Sequence, residues 1–200
     1  MKLSLSVKYN ELKAIGVFAS QDTARYSMMG VQVEVDPDGV TLVATTGFTL
    51  GALRLSALSI LESVTEPVSF IVPNLLLKRM TRTTNPMILG LDGDAVSIEA
   101  DGFLIGAKKI NGTYPNWKQS VPKWSPSPIT TIALSPLLLS RFYAAQKLLG
   151  GNGMLAFQHG GNDCYSIHFP GTEDFLGMLM PMRTKHEING FPAWIPAKSE

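Results

Sequence analysis

An internal repeat constrains this chain more than any other feature, because a repeated unit fixes the architecture before single elements are assigned. The segment VSFIVPNLLLKRM, Val68 to Met80, and the segment ITTIALSPLLLSRF, Ile129 to Phe142, share one plan. Each passes from β-rich residues through a proline or small polar start signal into Leu-Leu-Leu, one further residue, Arg and an apolar side chain. A second echo pairs GFTLGA (Gly47 to Ala52) with GFLIGA (Gly102 to Ala107). Together they define a unit of about 55 to 60 residues.

The unit reads as a strand, a helix and three more strands. In the first copy LSLSV is the strand and residues 8–20 are the helix. YSMMGVQVEV, GVTLVAT and FTLGALRL follow as strands, separated by Asp-Pro-Asp-Gly and Thr-Thr-Gly turns. The second copy has a helix over Asn74–Thr84 and strands near MILGL, AVSIEA and GFLIGAKK. The third has a helix over Ser135–Leu149, a Gly-Gly-Asn-Gly stop signal, and strands GMLAFQH, CYSIHF and FLGMLMPM. Alternating apolar residues imply sheets with one packed face, and short Gly- and Asp-bearing turns imply antiparallel meanders. The expected class is therefore α+β, with three strand–helix–strand–strand–strand units on antiparallel sheets. PKWSPSP, Pro122 to Pro128, is rich in Pro and Ser and reads as a linker. It divides a two-unit domain (1–122) from a single unit (129–183), with 123–128 between them and a tail over 184–200.

A hydrophobic share of 45% against 16% charged residues is a globular balance. The net charge of +1 hides a local bias. Lys78, Arg79 and Arg82 lie three, four and seven residues after Leu75, helical spacings that put the three cations on one face. Leu76, Leu77 and Met80 then face a sheet. The first helix offers Lys8 and Lys13 against Glu11 alone, and the third offers Arg141 and Lys147 with no acid. A solvated face is the plain explanation for one helix, and weaker for three. Cys164 is the only cysteine, which excludes an internal disulfide and fits a reducing cytosol. Lys8, Glu11 and Lys13 break up the first apolar run, and no run is long enough to span a bilayer. The expected location is cytoplasmic, without a membrane partner.

The loop NGTYPNWKQSVP, Asn111 to Pro122, sets Tyr114 and Trp117 around Pro115. A surface loop does not ordinarily need two aromatic rings. Either the rings plug a core or the loop is one wall of a ligand site. Catalytic and metal chemistry finds no footing: His159, His168 and His186 lack ligand spacing with Cys164. Asp36-Pro-Asp38-Gly lacks the later ligands of a calcium loop, and Gly150, Gly151 and Gly153 follow a helix where a phosphate cradle would precede one. No enzyme, metal or cofactor is expected.

RYSMMGVQVEVDPDGVTLVATTGFTLGALRL, NGTYPNWKQSVP and MLMPMR together resemble the bacterial sliding clamp family, the beta subunit of DNA polymerase III. The family has Arg-Tyr before its first hairpin, Val-Ala-Thr-Asp-Gly-His-Arg-Leu at the second, Asp-Gly-x-Phe-Pro-Asp-Tyr before the linker, and Met-Pro-Met-Arg near its end. The likeness covers roughly residues 1–183 and looks like the middle clamp domain followed by the second half of the last. It implies a DNA-clamp-like fold, with helices facing duplex DNA. The DNA-side candidates are Lys8, Lys13, Tyr26, Lys78, Arg79, Arg82, Arg141 and Lys147. The resemblance also implies a peptide groove between the middle domain and the last half. Arg25, Thr45, Gly47, Leu50 and Pro115 match one wall, where Gln119 stands at a position often basic in the family; Met178, Met180, Pro181, Met182 and Arg183 match the other, with Pro136 at the usual aromatic gate position. Thr46, Phe48 and Thr49 stand where the family has Asp, His and Arg, which makes the rim less polar.

The expected function is that of a DNA-tracking processivity factor, non-specific for sequence, which tethers polymerase or other replication and repair proteins by short peptides. The competing expectation is a peptide-binding adaptor or decoy that does not encircle DNA. A third unit with an exposed strand edge and an apolar flank at Leu138, Phe142 and Leu148 predicts a homo-oligomer, dimer or tetramer, with paired third units. The tail TKHEINGFPAWIPAKSE is expected to pack on a surface, its own groove or a neighbouring chain.

Overall fold

The computed structural model describes residues 2–121, 132–159 and 164–182. Its strands are β1 (Lys2–Val7), β2 (Gly30–Asp36), β3 (Gly39–Thr45), β4 (Thr49–Ser56), β5 (Val68–Pro73), β6 (Met87–Asp92), β7 (Ala95–Ala100), β8 (Phe103–Lys108), β9 (Ala156–His159), β10 (Tyr165–Phe169) and β11 (Thr172–Leu179). Its helices are α1 (Tyr9–Gly16), α2 (Asn74–Arg79) and α3 (Pro136–Leu149). The order strand, helix, three strands holds for the first two units. In the third, residues 129–131 lie outside the described part, and 132–135 form no strand.

The first two units exchange their leading strands. One sheet runs β1-β6-β7-β8 and the other β5-β2-β3-β4-β11-β10-β9, with every pairing antiparallel. β1 thus completes the second unit's sheet and β5 the first unit's, so neither unit closes its sheet alone. The third unit is joined differently: β11 pairs with β4, extending the first unit's sheet by three strands.

Each helix lays an apolar side on a sheet, leaving Leu12, Ala14, Ile15, Leu76, Leu77, Phe142 and Ala145 in the main core. α3 begins as its sequence asks. The Ser135 hydroxyl accepts from the Leu138 N–H, and Pro136 sits in the first turn, where no N–H is needed. It stops at Gly150, which is left-handed at φ +81° and donates to the Gln146 carbonyl.

α2 is shorter than its charge spacing predicts. Met80 turns extended at ψ 133° and buries its side chain, which ends the helix before Arg82. Thr81, Thr83 and Thr84 give little reason to continue, and Thr83 instead turns its hydroxyl to the Asn85 N–H at 3.0 Å. The three cations therefore do not share a helical face. α1 likewise ends at Gly16 and not at Ser20, because Phe18 and Ala19 turn into the core. Tyr26 to Met28, read as the start of a strand, belong to a 3₁₀ turn over Thr23–Met28, where the Asp22 side chain accepts from the Ala24 N–H.

The apolar flank expected to seek a partner is covered within the chain. Phe142 is fully buried, with its ring 4.9 Å from that of Phe18, and Leu138 and Leu148 pack against the same core. The dimer built from two third units loses that premise, because α1 already occupies the face of α3.

Candidate functional site

Strand alternation gives the seven-stranded sheet two different faces. Leu42, Ala44, Leu53, Phe175 and Leu179 point toward the helices and belong to the main core. Their neighbours Val43, Leu50, Ala52 and Met178 point the other way and form a second cluster with Cys164, against which Tyr114 and Trp117 pack. The β4–β11 register sets Met178 opposite Leu50.

A cavity of about 330 Å³ opens on that second face. It is lined by Met28, Thr45, Gly47, Phe48, Thr49, Leu50, Pro115, Trp117, Gln119, Ser120, Val121, Cys164, Met178 and Met180, with no charged side chain among them. The threonines at its rim brace their own hairpin. Thr45 donates to the Thr49 carbonyl at 2.8 Å and accepts from the Gly47 N–H, while Thr46 accepts from the Thr49 N–H at 3.1 Å. Their hydroxyls are thereby occupied and Phe48 is left projecting. Arg25 holds the tip by donating to the Thr46 carbonyl, and its guanidinium stands 5.4 Å from the Phe48 ring. The Met180 N–H donates to the Phe48 carbonyl at 2.9 Å, which closes the two walls together.

The aromatic loop does both things open to it. Tyr114 is plugged under the sheet with its hydroxyl toward the Val43 carbonyl, and burial pushes its pKa well up. Trp117 forms cavity wall, and its indole N–H donates to Glu34 at 2.9 Å. Lys118 holds the other oxygen of that carboxylate, also at 2.9 Å. Burial likewise raises the Cys164 thiol, disfavouring its thiolate.

Seven of the expected groove residues line the cavity: Thr45, Gly47, Leu50, Pro115, Gln119, Met178 and Met180. Arg25 braces the rim from behind. Pro136 opens α3, while Pro181 and Met182 continue past the cavity, the Met182 N–H donating to the Ala133 carbonyl at 2.8 Å. Arg183 lies outside the described residues, as do the linker and the tail. The sequence reading missed Met28, Ser120, Val121 and Cys164; it set Phe48 and Thr49 at the rim and left Trp117 open between core and wall. Trp117 and Phe48 carried a signal as aromatics in turn sequences; Met28 and Cys164 carried none, since only tertiary pairing brings them to the wall.

On the helix side, Lys13, Lys78 and Arg141 converge on a depression between α1, α2 and α3 that no acidic residue lines among the described residues. Two of them tie helix ends. Lys13 donates to the Leu77 carbonyl at 2.9 Å, and Arg141 donates to the Val17 carbonyl. Cations there meet the negative ends of α2 and α1. Burial, then the neighbouring Lys78, lowers the pKa of Lys13, and burial lowers that of Arg141. Tyr26 and Lys78 share a second depression with Lys108, also without an acid. Arg79 instead lines a hollow beside β8 with Asp101 and Phe103. Lys8 pairs with Glu11 at 3.8 Å, and Lys147 is exposed near the end of α3. Among the described residues no group of three His, Cys, Asp or Glu side chains is placed to hold a metal, and no helix is long and apolar enough to cross a membrane.

An antiparallel sheet with helices on one face and an apolar groove on the other is the architecture of sliding clamps. Residues 4–116, more than half of the chain, match the family model for the central domain of the DNA polymerase III beta subunit, and the chain belongs to that family. The family is one of non-enzymatic clamp proteins. The chain has the fold of the DNA polymerase sliding clamp from Pseudomonas aeruginosa, at TM-score 0.71 and 17% identity, covering 91% of this chain and 67% of that one. It is similar to the Thermotoga maritima beta subunit at TM-score 0.70 and 16% identity, covering 91% and 66%. The Helicobacter pylori beta clamp, solved bound to a DNA ligase peptide, matches at TM-score 0.69 and 17% identity, again over 91% and 66%. The chain thus spans about two thirds of the length of these clamps. No curated protein sequence matches it.

Proposed function

We propose that this chain acts as a clamp-like processivity factor, tracking on duplex DNA by its helix side and holding partner peptides in the groove. One observation carries the reading: a single sheet separates a cationic helix face from a cavity whose two walls are joined by the β4–β11 pairing, with no acid among the described residues lining the one and no charge among those lining the other. Cations that meet phosphates without reading bases permit sliding. Lys78 supplies the centre of that face, Arg79, Arg82, Lys147 and Tyr26 its exposed periphery, and Lys8, Lys13 and Arg141 add field while engaged elsewhere. Uncharged walls rich in methionine suit short apolar peptides of varied shape. Residues 1–122 act as one domain and residues 129–183 as the half-domain that completes the groove.

The commitment of Lys13 and Arg141 to helix ends favours a second reading, an adaptor that keeps the groove and does not encircle DNA. Retention on circular and linear duplex separates the two, measured beside calorimetry with the DNA ligase peptide bound by the Helicobacter pylori clamp. Retention on circles with release from linear ends is expected for tracking; peptide binding without retention establishes the adaptor. Replacing Lys78, Arg79 and Arg82 by Ala is expected to weaken DNA binding and flatten its salt dependence by roughly one unit per lost phosphate contact. An unchanged slope removes α2 from the DNA face.

A further inference from the structure

We infer that residues 184–200 of this same chain fold back into the groove, seating the uncharged stretch Ile188 to Ala197 against its walls; this rests on the reading of that cavity as a peptide groove. The exit of the chain is the first reason. β11 ends at Leu179, Met180 lines the cavity, and Met182, two residues further on, donates its N–H to the Ala133 carbonyl. Three residues therefore separate the tail from a cavity-lining side chain. Eight residues separate Met182 from Phe191, and eleven separate it from Trp194. Eight extended residues reach roughly 25–30 Å, enough to turn back across a single cavity.

Chemistry is the second reason. INGFPAWIPA contains no charge and four large apolar side chains, Ile188, Phe191, Trp194 and Ile195. The described residues of the cavity lining carry no charge either, and its volume of about 330 Å³ accepts an aromatic side chain. Lys185, Glu187, Lys198 and Glu200 flank the stretch and would remain in water. Pro192 and Pro196 fix two φ angles, which lowers the entropy lost when an extended peptide is seated.

Tethering makes even weak contacts sufficient. A short linker holds the tail at an effective concentration on the order of 1 mM. A tail peptide with a free Kd of about 0.1 mM would then fill the groove about nine-tenths of the time and weaken an outside peptide about tenfold. The groove would be self-closed, opened only by partners that outcompete the tail.

The test compares the full chain with one truncated after Arg183, using a fluorescein-labelled peptide of residues 184–200 and, separately, the DNA ligase peptide. The labelled tail peptide is expected to bind the truncated chain, to bind the full chain about tenfold more weakly, and to be lost when Met180→Glu is placed in the groove. Trp194→Ala in the full chain is expected to reproduce the effect of truncation. Equal binding of the tail peptide to both forms, or binding indifferent to Met180→Glu, overturns the inference. If the ligase peptide binds neither form while the tail peptide still binds the truncated chain, the foreign-peptide reading fails and the tail assignment stands. Equal ligase-peptide binding by both forms has the opposite meaning. The tenfold difference is expected to persist on dilution; a difference that grows with protein concentration assigns the groove to a second copy's tail and overturns folding back.

Discussion

A methyl group added to Gly51 would stand 2.3 Å from the Phe18 ring, and one added to Gly177 would stand 2.6 Å from the Phe142 ring. These two glycines are register partners across the β4–β11 pair. The seam between the first and third units is thus a gap in the side-chain layer, filled from above by two phenylalanines whose rings meet at a 60° tilt. Gly51→Ala is expected to cost about 1–3 kcal/mol, the usual penalty of overpacking, measured by urea denaturation. Gly177→Ala is expected to behave alike, and the double variant to depart from additivity because both act on one aromatic pair. At the β2–β3 turn, Arg54 grips both oxygens of Asp36 at 2.7 and 3.0 Å. That hydrogen bonding holds the Asp36 carboxyl below its ordinary value. A depressed folded pKa means stability present above the unfolded pKa of about 4 and lost as the pH falls through the folded value. Both side chains are over a third exposed, so the effect is small. Arg54→Ala is expected to cost under about 1 kcal/mol at pH 7, the gap from the parent chain shrinking in thermal melts taken toward pH 2.

Among the elements, α3 does the most to keep the groove assembled. It lies on α1 and on β11 at once, and Phe142 is the side chain common to both contacts. Phe142→Ala is expected to cost about 3–5 kcal/mol, seen as a lower urea midpoint, and to weaken peptide binding although the residue is remote from the cavity. The turn over Trp117–Ser120 acts locally by contrast. Trp117→Ala removes cavity wall and the bond to Glu34. Peptide affinity is expected to fall by more than tenfold, as for a buried aromatic anchor, with a smaller loss of stability than Phe142→Ala; calorimetry and denaturation on the same variant check both. α2 shows how a short helix escapes its own periodicity. Its cation spacing fits a helix to Arg82, but burial of Met80 outweighs the propensity of the next residues.

For the whole molecule, the free sheet edges decide what assembly is open to it. The outer edge of β1 is covered by the bridge from Leu5 to Ile60 and the bond from the Leu61 N–H to the Ser4 carbonyl. That of β5 is covered where the Ile110 N–H donates to the Ile71 carbonyl. No described strand pairs with the outer edges of β8 and β9. Phe103 and Leu104 on β8 and Phe157 on β9 are exposed beside those edges. Edges of this kind join other chains. We therefore expect oligomers through β8 and β9, in place of the pairing of third units, with light scattering showing a mass above 21.7 kDa that rises with concentration. Replacing Phe103 and Leu104 by Lys is expected to return the chain to a monomer.

The sequence by itself determined the element order of the first two units and most of the elements. Strand alternation, turn residues and caps act over a few positions, so β1, β3, β4, β6 to β8, and the limits of α3 follow from local chemistry. It also marked Thr45, Leu50, Pro115, Met178 and Met180, through motifs whose resemblance to a family carried more than their own composition did. Tertiary structure alone decided the exchange of β1 and β5, the β4–β11 seam, and the meeting of Met28, Trp117 and Cys164 at one cavity. Such contacts depend on which strand edges and faces meet across the chain, and no local residue preference contains that choice. Arg141 shows the difference most plainly: its charge was legible as a candidate for phosphate, but only packing of α3 on α1 turned it toward the Val17 carbonyl.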